Sequence, residues 1–287
     1  MGGAATLFLL SPATALFVIF VVVPVTGTLV LSCADWDLLG RPRFVGLANF
    51  SRLLSDPAAV RALVNTALFS AASIALHLSF GLVLAFAVQN QVNRHVARWL
   101  EAAIVAPFLL SWAATAVIWR YAYDPNFGLV SYYGAALHLP AAPLASPQWA
   151  LPALVLVDLW HTLGFSFLVL AASLRALPQD VVEAARVDGA SSWQSLRHIL
   201  LPLLSPTLTM LAAVNLVGAF QIFEPMFLMT RGGPGLATLS AVEIIYETAF
   251  GDLELGYAAA MSVALAVLVL VGGLLQVFRA RRMRRSW

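Results

Sequence analysis

The 287-residue chain carries no charged side chain before Asp35, none from Ala62 to Asn93 and none from Leu255 to Phe278. About 20 apolar residues suffice to cross the ~30 Å hydrocarbon layer of a bilayer, and the core helix of a soluble domain needs far fewer. Inside that layer every backbone N–H and C=O must be bonded within the protein, which leaves helices or a closed barrel. The runs are continuously apolar rather than alternating, so helices are expected. Composition agrees, with 61% hydrophobic and 10% charged residues, against roughly half and a quarter in soluble domains.

Six transmembrane helices are expected, at about 8–31, 67–89, 101–121, 151–173, 206–228 and 256–278. The fold class is therefore all-α and polytopic, with residues 1–287 forming a single transmembrane domain. No segment between spans is long and polar enough to build a separate core. The first run has no basic region before it and exceeds the roughly 7–15 apolar residues of a signal peptide, so it reads as a retained helix.

Orientation follows from the arginines. With both termini inside, ten lie on the cytoplasmic side (Arg94, Arg98, Arg175, Arg186, Arg197 and the five from Arg279 to Arg285) and six outside. Positive residues are favoured on the inside, so this topology is preferred. The cluster from Arg279 to Arg285 abuts the sixth span and reads as an anchor at anionic membrane lipid. Basic residues flank apolar spans instead of forming a dense patch, so no nucleic-acid partner is expected.

All 16 basic residues are arginine. A Walker A loop needs its lysine to reach the nucleotide phosphates, so no conventional ATP site is expected in this chain, and Schiff-base chemistry is excluded. Cys33 is the single cysteine and has no internal disulfide partner. No Cys/His cluster has metal-ligand spacing, so neither a bound metal nor another cofactor is expected.

Three connections carry local signals. Residues 32–66 hold an amphipathic stretch around Leu47–Val64, and residues 122–150 contain Pro125, Pro140, Pro143 and Pro147, which prevent one continuous helix. Residues 174–205 are cytoplasmic and read as two short helices meeting at Gly189. Asp180 with Glu183, and Ser191 with Gln194, have the spacing of reciprocal N-terminal caps. Gly189 permits a sharp bend. Leu196, Ile199 and Leu200 recur at helical spacing and can seat the segment against a groove or the transmembrane core.

Glu183-Ala184-Ala185, then Asp188-Gly189, then Ile199-Leu200-Leu201-Pro202 resemble the EAA loop, EAA-x3-G-x9-I-x-LP, of permease subunits from binding-protein-dependent ABC importers. Glu183 through Ala190 are similar to the sugar permease branch, related to the maltose and glycerol-3-phosphate systems. The likeness extends over most of the chain. It takes in Phe44 through Phe50, Asn65-Thr66, Trp119, Gly128, Trp160, Gly164, Pro178, Thr230 through Pro234, Thr238, Tyr246, Phe250 and Gly256-Tyr257-Ala258. Leu196 and Leu200 stand where Phe and Thr are common, and the N-terminus lacks the usual charge.

The resemblance implies that residues 178–202 form a coupling loop docking on an ATPase subunit, with Glu183, Ala184, Ala185, Asp188, Gly189, Ile199 and Pro202 as its functional positions. It implies a homologous permease partner, two ATP-binding cassette subunits that hold ATP and Mg2+, and an extracytoplasmic substrate-binding protein. It implies inward movement of a sugar or polyol by alternating access, in a bacterial plasma membrane (the inner membrane of a Gram-negative cell). Gly232, Gly233 and Pro234 then become candidate contacts for the binding protein, or else a plain external turn.

Polar residues within the spans are the substrate-path candidates. Asp158 is the most conspicuous, since a charge at such depth must be paired or face water. It either serves a cavity or bonds to His161 at i+3 or to another helix. Asn215, Gln221 and Glu224 can bind a polyol, with Phe220 and Phe223 as walls, or can tie helices together. Trp160 reads as a helix-packing residue, and His77 as a neutral packing residue with one internal bond. The scarcity of intramembrane charge favours a neutral solute and leaves glycerol phosphate open. Two other readings are an ion-coupled secondary transporter and, less favoured, a membrane enzyme using Asp158 and His161.

Overall fold

The computed structural model describes residues 3–89, 93–134, 140, 142–178, 180, 187 and 189–284. Its elements are helices apart from one two-stranded antiparallel ribbon. The chain divides into two compact units: Met1–Leu63 with Ala241–Leu268, and Val64–Ser240 with Val269–Trp287.

In the first unit, α1 (Gly3–Phe17) continues through a π turn (Val18–Val22) into α2 (Val23–Leu31). The turn widens just before Pro24, which has no N–H to give the Phe20 carbonyl. Strands β1 (Ala34–Asp35) and β2 (Arg43–Phe44) pair Ala34 with Phe44 and Asp35 with Arg43. Asp37 Oδ1 accepts from the Leu39 and Gly40 amides and holds the connecting loop.

The amphipathic stretch becomes α3 (Ala48–Ser55) and the first turns of α4 (Pro57–Gln89). Asp56 accepts from the Ala58 and Ala59 amides, while Pro57 occupies a position where an N–H is not needed. The second span is thus already helical well before residue 67.

Buried Asn49 donates to Ser32 O at 3.0 Å and Ala34 O at 2.8 Å, tying α3 to the end of α2. Leu53 and Ala59 pack against Tyr257 and Met261 of α13 (Leu255–Arg284). At Gly256 an added Cβ would stand 1.9 Å from Ala34 O, so only glycine allows this approach. Arg52 lies 2.7 Å from Glu254 and 4.0 Å above the Tyr257 ring. Tyr257 donates to Asp56 at 2.8 Å. Partial burial disfavours the Asp56 carboxylate, but the Tyr257 hydroxyl, the Ala59 and Ala58 amides and Arg52 outweigh it and hold the group below the usual carboxylate range.

In the second unit the expected third span is broken. After α5 (Arg94–Val105) comes a 3-10 turn (Ala106–Leu109), and α6 (Trp112–Ala122) then leaves at 103°. Pro107 sits inside the turn, Leu110 is extended, and Ser111 caps α6 by accepting from the Ala114 amide. The two arms follow α8 (Ala150–Arg175) along its length. Glu101 pairs with Arg175, Leu110 meets His161, Trp119 touches Trp160, and Tyr123 donates to Ala153 O. Beside them, α7 (Leu129–Gly134) and the 3-10 turn Pro143–Ala145 show how the prolines divide the external segment.

The expected fifth span is also corrected at both ends. Helix begins at α9 (Ser192–Ser195), passes a π turn (Leu196–Leu200) ahead of Pro202, and runs through α10 (Leu201–Phe220). It stops there instead of at residue 228. Pro225 cannot donate to the Gln221 carbonyl, and a separate α11 (Glu224–Met229) follows. After the loop comes α12 (Ala241–Tyr246), in the first unit.

Among the described residues five helices are long and apolar enough to cross a membrane, or six if the bent pair counts as one span. The protein is a multi-pass membrane protein.

Candidate functional site

A cavity of about 330 Å³ opens in the second unit where helices are interrupted. Its walls come from α4 (His77), the break between α5 and α6 (Phe108, Trp112), α8 (Asp158, His161, Thr162, Phe165), the end of α10 (Asn215, Gly218) and the next break (Gln221, Glu224). Interrupted helices at membrane depth are tolerated where they line a cavity, and there they expose backbone groups that continuous helices hide.

Gly164 brings the broken span close. A Cβ there would lie 2.9 Å from Ile104 O and 3.0 Å from Val105 Cα. The break leaves the Leu110 carbonyl without a helical partner, and His161 Nε2 reaches it at 3.1 Å. This bond ties the break to α8. The His161 ring also stacks on Trp112, centroids 3.9 Å apart.

The Asp158–His161 bond expected from i, i+3 spacing is not formed. His161 turns toward the broken span, while Asp158 meets α4. Asp158 Oδ2 lies 3.5 Å from His77 Nε2, and the same nitrogen is 3.4 Å from Asp158 O. Thr162, one turn along, donates to Asp158 Oδ1 at 3.3 Å. His77 and Asp158 are both buried, so this polar pair locks α4 to α8 within the cavity wall. The internal bond expected for His77 thus has Asp158 as its partner. The available signal was its place as an ionisable ring within a long charge-free run.

Five of the six substrate-path candidates line the cavity: Asp158, His161, Asn215, Gln221 and Glu224. Phe220 does not, and the aromatic walls are Phe108, Trp112 and Phe165 in place of Phe220 and Phe223. Asn215 is buried and donates to Ser166 at 3.2 Å, so it also ties α10 to α8. Gln221 and Glu224 are exposed, and Glu224 stands in the first turn of α11, where the helix dipole favours a carboxylate. Trp160 packs edge-on against Trp119 at 5.6 Å.

Of the loop positions, Glu183, Ala184, Ala185 and Asp188 lie outside the described residues, as does the proposed Asp180–Glu183 cap. Gly189 has φ +80°, a backbone conformation that favours glycine, and among the described residues a Cβ there would meet nothing within 4 Å, so the glycine serves the bend. The second cap is formed: Ser191 N donates to Gln194 Oε1 at 2.8 Å, and Gln194 N to Ser191 Oγ at 3.3 Å. Leu196 and Leu200 are buried against Phe167, Leu170 and Leu174 of α8, while Ile199 and Pro202 are half-buried.

The Gly232–Pro234 turn is internally tied. Thr238 donates to Gly233 O at 2.7 Å, and Asn65 of α4 donates to Leu236 O and Leu239 O at 2.8 and 3.1 Å. Gly232 is buried with φ +72°, and a Cβ would press on Leu239 at 3.0 Å. Gly233 and Pro234 are part-exposed beside exposed Arg231.

Residues 77–285 match the family described as binding-protein-dependent transport system inner membrane component. The chain belongs to that family. The permease is 33% identical to the sn-glycerol-3-phosphate transport system permease protein UgpA of Agrobacterium fabrum, over 91% of this chain and 89% of that one. It is 27% identical to the probable starch degradation products transport system permease protein AmyD of Thermoanaerobacterium thermosulfurigenes, over 95% and 92%. A bacterial alginate ABC transporter crystallised with its pentasaccharide-bound periplasmic protein contains a chain of the same fold. The TM-score is 0.84 at 23% identity, covering 96% of this chain and 93% of the other. Family membership makes this chain a transport subunit, and the secondary-transporter and enzyme readings are set aside.

Proposed function

We propose that this permease moves a sugar or polyol into the cell through the cavity beside Asp158 and His161, by alternating access driven by ATP hydrolysis in partner subunits. The observation that carries the reading is the cavity itself. It joins aromatic faces (Phe108, Trp112) to a few placed polar groups (Thr162, Asn215, Gln221, Glu224), the combination that binds hydroxyl-rich solutes. Relatives named for starch products and for glycerol 3-phosphate support this solute class.

Residues 178–202 act as the coupling loop. The bend at Gly189 and the capped helix from Ser192, seated on α8 by Leu196 and Leu200, support a rigid element able to carry force from a docked ATPase. The assembly comprises a second permease, two ATPase subunits that bind ATP and Mg2+, and an extracytoplasmic binding protein meeting Gly233 and Pro234. Both termini are cytoplasmic in the plasma membrane.

Co-purification of the intact assembly with an ATPase whose turnover rises with solute-loaded binding protein is the expected result. Gly189→Asp should leave the complex assembled but separate hydrolysis from uptake. An active assembly in which crosslinkers at Ala184 and Ser191 reach no ATPase would overturn the coupling role.

A further inference from the structure

The hydrogen-bond roles around the cavity can be assigned atom by atom, and the wall they form accepts more than it donates. A backbone carbonyl has only lone pairs to offer. His161 Nε2, 3.1 Å from Leu110 O, therefore carries a proton. His77 Nε2 is fixed as a donor in the same way by Asp158 O. The Thr162 hydroxyl gives its proton to Asp158, and Asn215 gives an amide proton to Ser166. These donors are thus committed to neighbouring protein groups. What remains on the donor side is the second N–H of Asn215, the Gln221 NH2 and the Trp112 indole N–H; more numerous on the acceptor side are the lone pairs of Thr162, of the Asn215 and Gln221 carbonyls and of the exposed Glu224 carboxylate. Among the described lining residues there is no arginine, and the chain has no lysine.

We infer that this chain's part of the pathway selects solutes that arrive as hydrogen-bond donors, namely neutral polyhydroxyl compounds or hydroxylated amines, and turns away phosphate esters and carboxylates. Glu224 is the specificity-determining residue. A hydroxyl or an ammonium group supplies the protons that these lone pairs lack. A phosphate ester brings three acceptor oxygens and about 1.5–2 negative charges to a wall whose free charged group is a carboxylate. The inference rests on the sugar or polyol reading above and narrows it. It separates this permease from the relative named for glycerol 3-phosphate.

The test is uptake by the complete assembly, with binding protein and ATPase subunits, in proteoliposomes. Maltose, trehalose and glycerol serve as neutral probes, and glycerol 3-phosphate as the anionic one. At least one neutral probe should enter, with glycerol 3-phosphate slower by about tenfold or more, as like-charge rejection implies. Glu224→Arg should narrow that ratio by roughly fivefold or more, and Glu224→Gln by less, since only the first introduces a cation.

Glycerol 3-phosphate uptake as fast as the best neutral probe overturns the inference and leaves the polyol reading standing. An unchanged ratio in Glu224→Arg, in an assembly that still hydrolyses ATP and moves the neutral probe, overturns it as well. Uptake of no probe by an assembly with working ATPase overturns the polyol reading and the inference together.

Discussion

The first apolar run and α8 differ in a way that hydropathy alone reverses. Leu9–Leu31 has a mean hydropathy of 2.5 and none of it is buried within the protein, whereas Ala150–Arg175 has 1.8 and half of its residues are buried. In water the more apolar helix would lie deeper. In a bilayer the solvent is itself apolar, so the most hydrophobic helix can face outward and the interior collects polar side chains that need partners. Asp158, His161 and Ser166 sit in α8 for that reason, and its small residues let neighbours approach.

The comparison can be broken most directly at two glycines. Gly164→Leu would drive atoms into the Ile104 and Val105 backbone, an overpacking cost of about 1–3 kcal/mol or more. The expected outcome is loss of the intact assembly on size-exclusion chromatography. Gly27→Leu in the first run meets nothing within 4 Å and should leave stability within ~0.5 kcal/mol. Equal behaviour of the two variants would remove the contrast.

Next in size is Asp158→Ala, which strips the carboxylate from His77 and Thr162 and should cost about 1–3 kcal/mol by thermal unfolding in detergent. Thr14→Val makes a control, because Thr14 Oγ1 only returns to Leu10 O in its own helix. A matching loss in both would show that polar groups count equally wherever they lie.

The two buried asparagines sharpen the comparison further. Asn65 ties Leu236 and Leu239, and Asn49 ties Ser32 and Ala34 at the end of the first run. Asn65→Ala and Asn49→Ala should each cost about 1–2 kcal/mol, with faster amide exchange confined to residues 230–240 and 32–36 respectively. If Asn49→Ala is silent, the first run is not anchored at its C-terminal end.

The smallest effect concerns acid. Asp56 titrates below its usual value when folded, so the carboxylate adds stability above the unfolded-state value, near pH 4, and that increment is lost as pH falls through the lower folded value. Asp56→Asn should flatten the acid limb of the melting-temperature profile below about pH 4. An unchanged limb would mean that Tyr257 and Arg52 do not favour the ionised form.

Much of this was legible because its signals are local. Charge-free runs marked the helices, Ser191 and Gln194 announced their reciprocal cap, and the polar residues of α8 and α10 pointed to the cavity. What misled was continuity of hydropathy. Pro107 followed by Ser111, and Pro225 after Gln221, are break signals embedded in apolar sequence. A smoothed pattern passes over them, and both breaks line the cavity. The choice of His77 over His161 as the partner of Asp158 was not readable from spacing, because it depends on how α4 packs against α8 and on the Leu110 carbonyl released by the break.

Trp193–Phe220 is a single apolar helix that begins beside the Gly189 bend and ends at the rim of the cavity. At 1.5 Å per residue it is a rod of roughly 40 Å. A tilt of about 10° at one end would sweep the other through roughly 7 Å, more than the width of a sugar hydroxyl and its contact shell. A modest swing at the Gly189 end is therefore large enough, by leverage alone, to reshape the rim of the cavity.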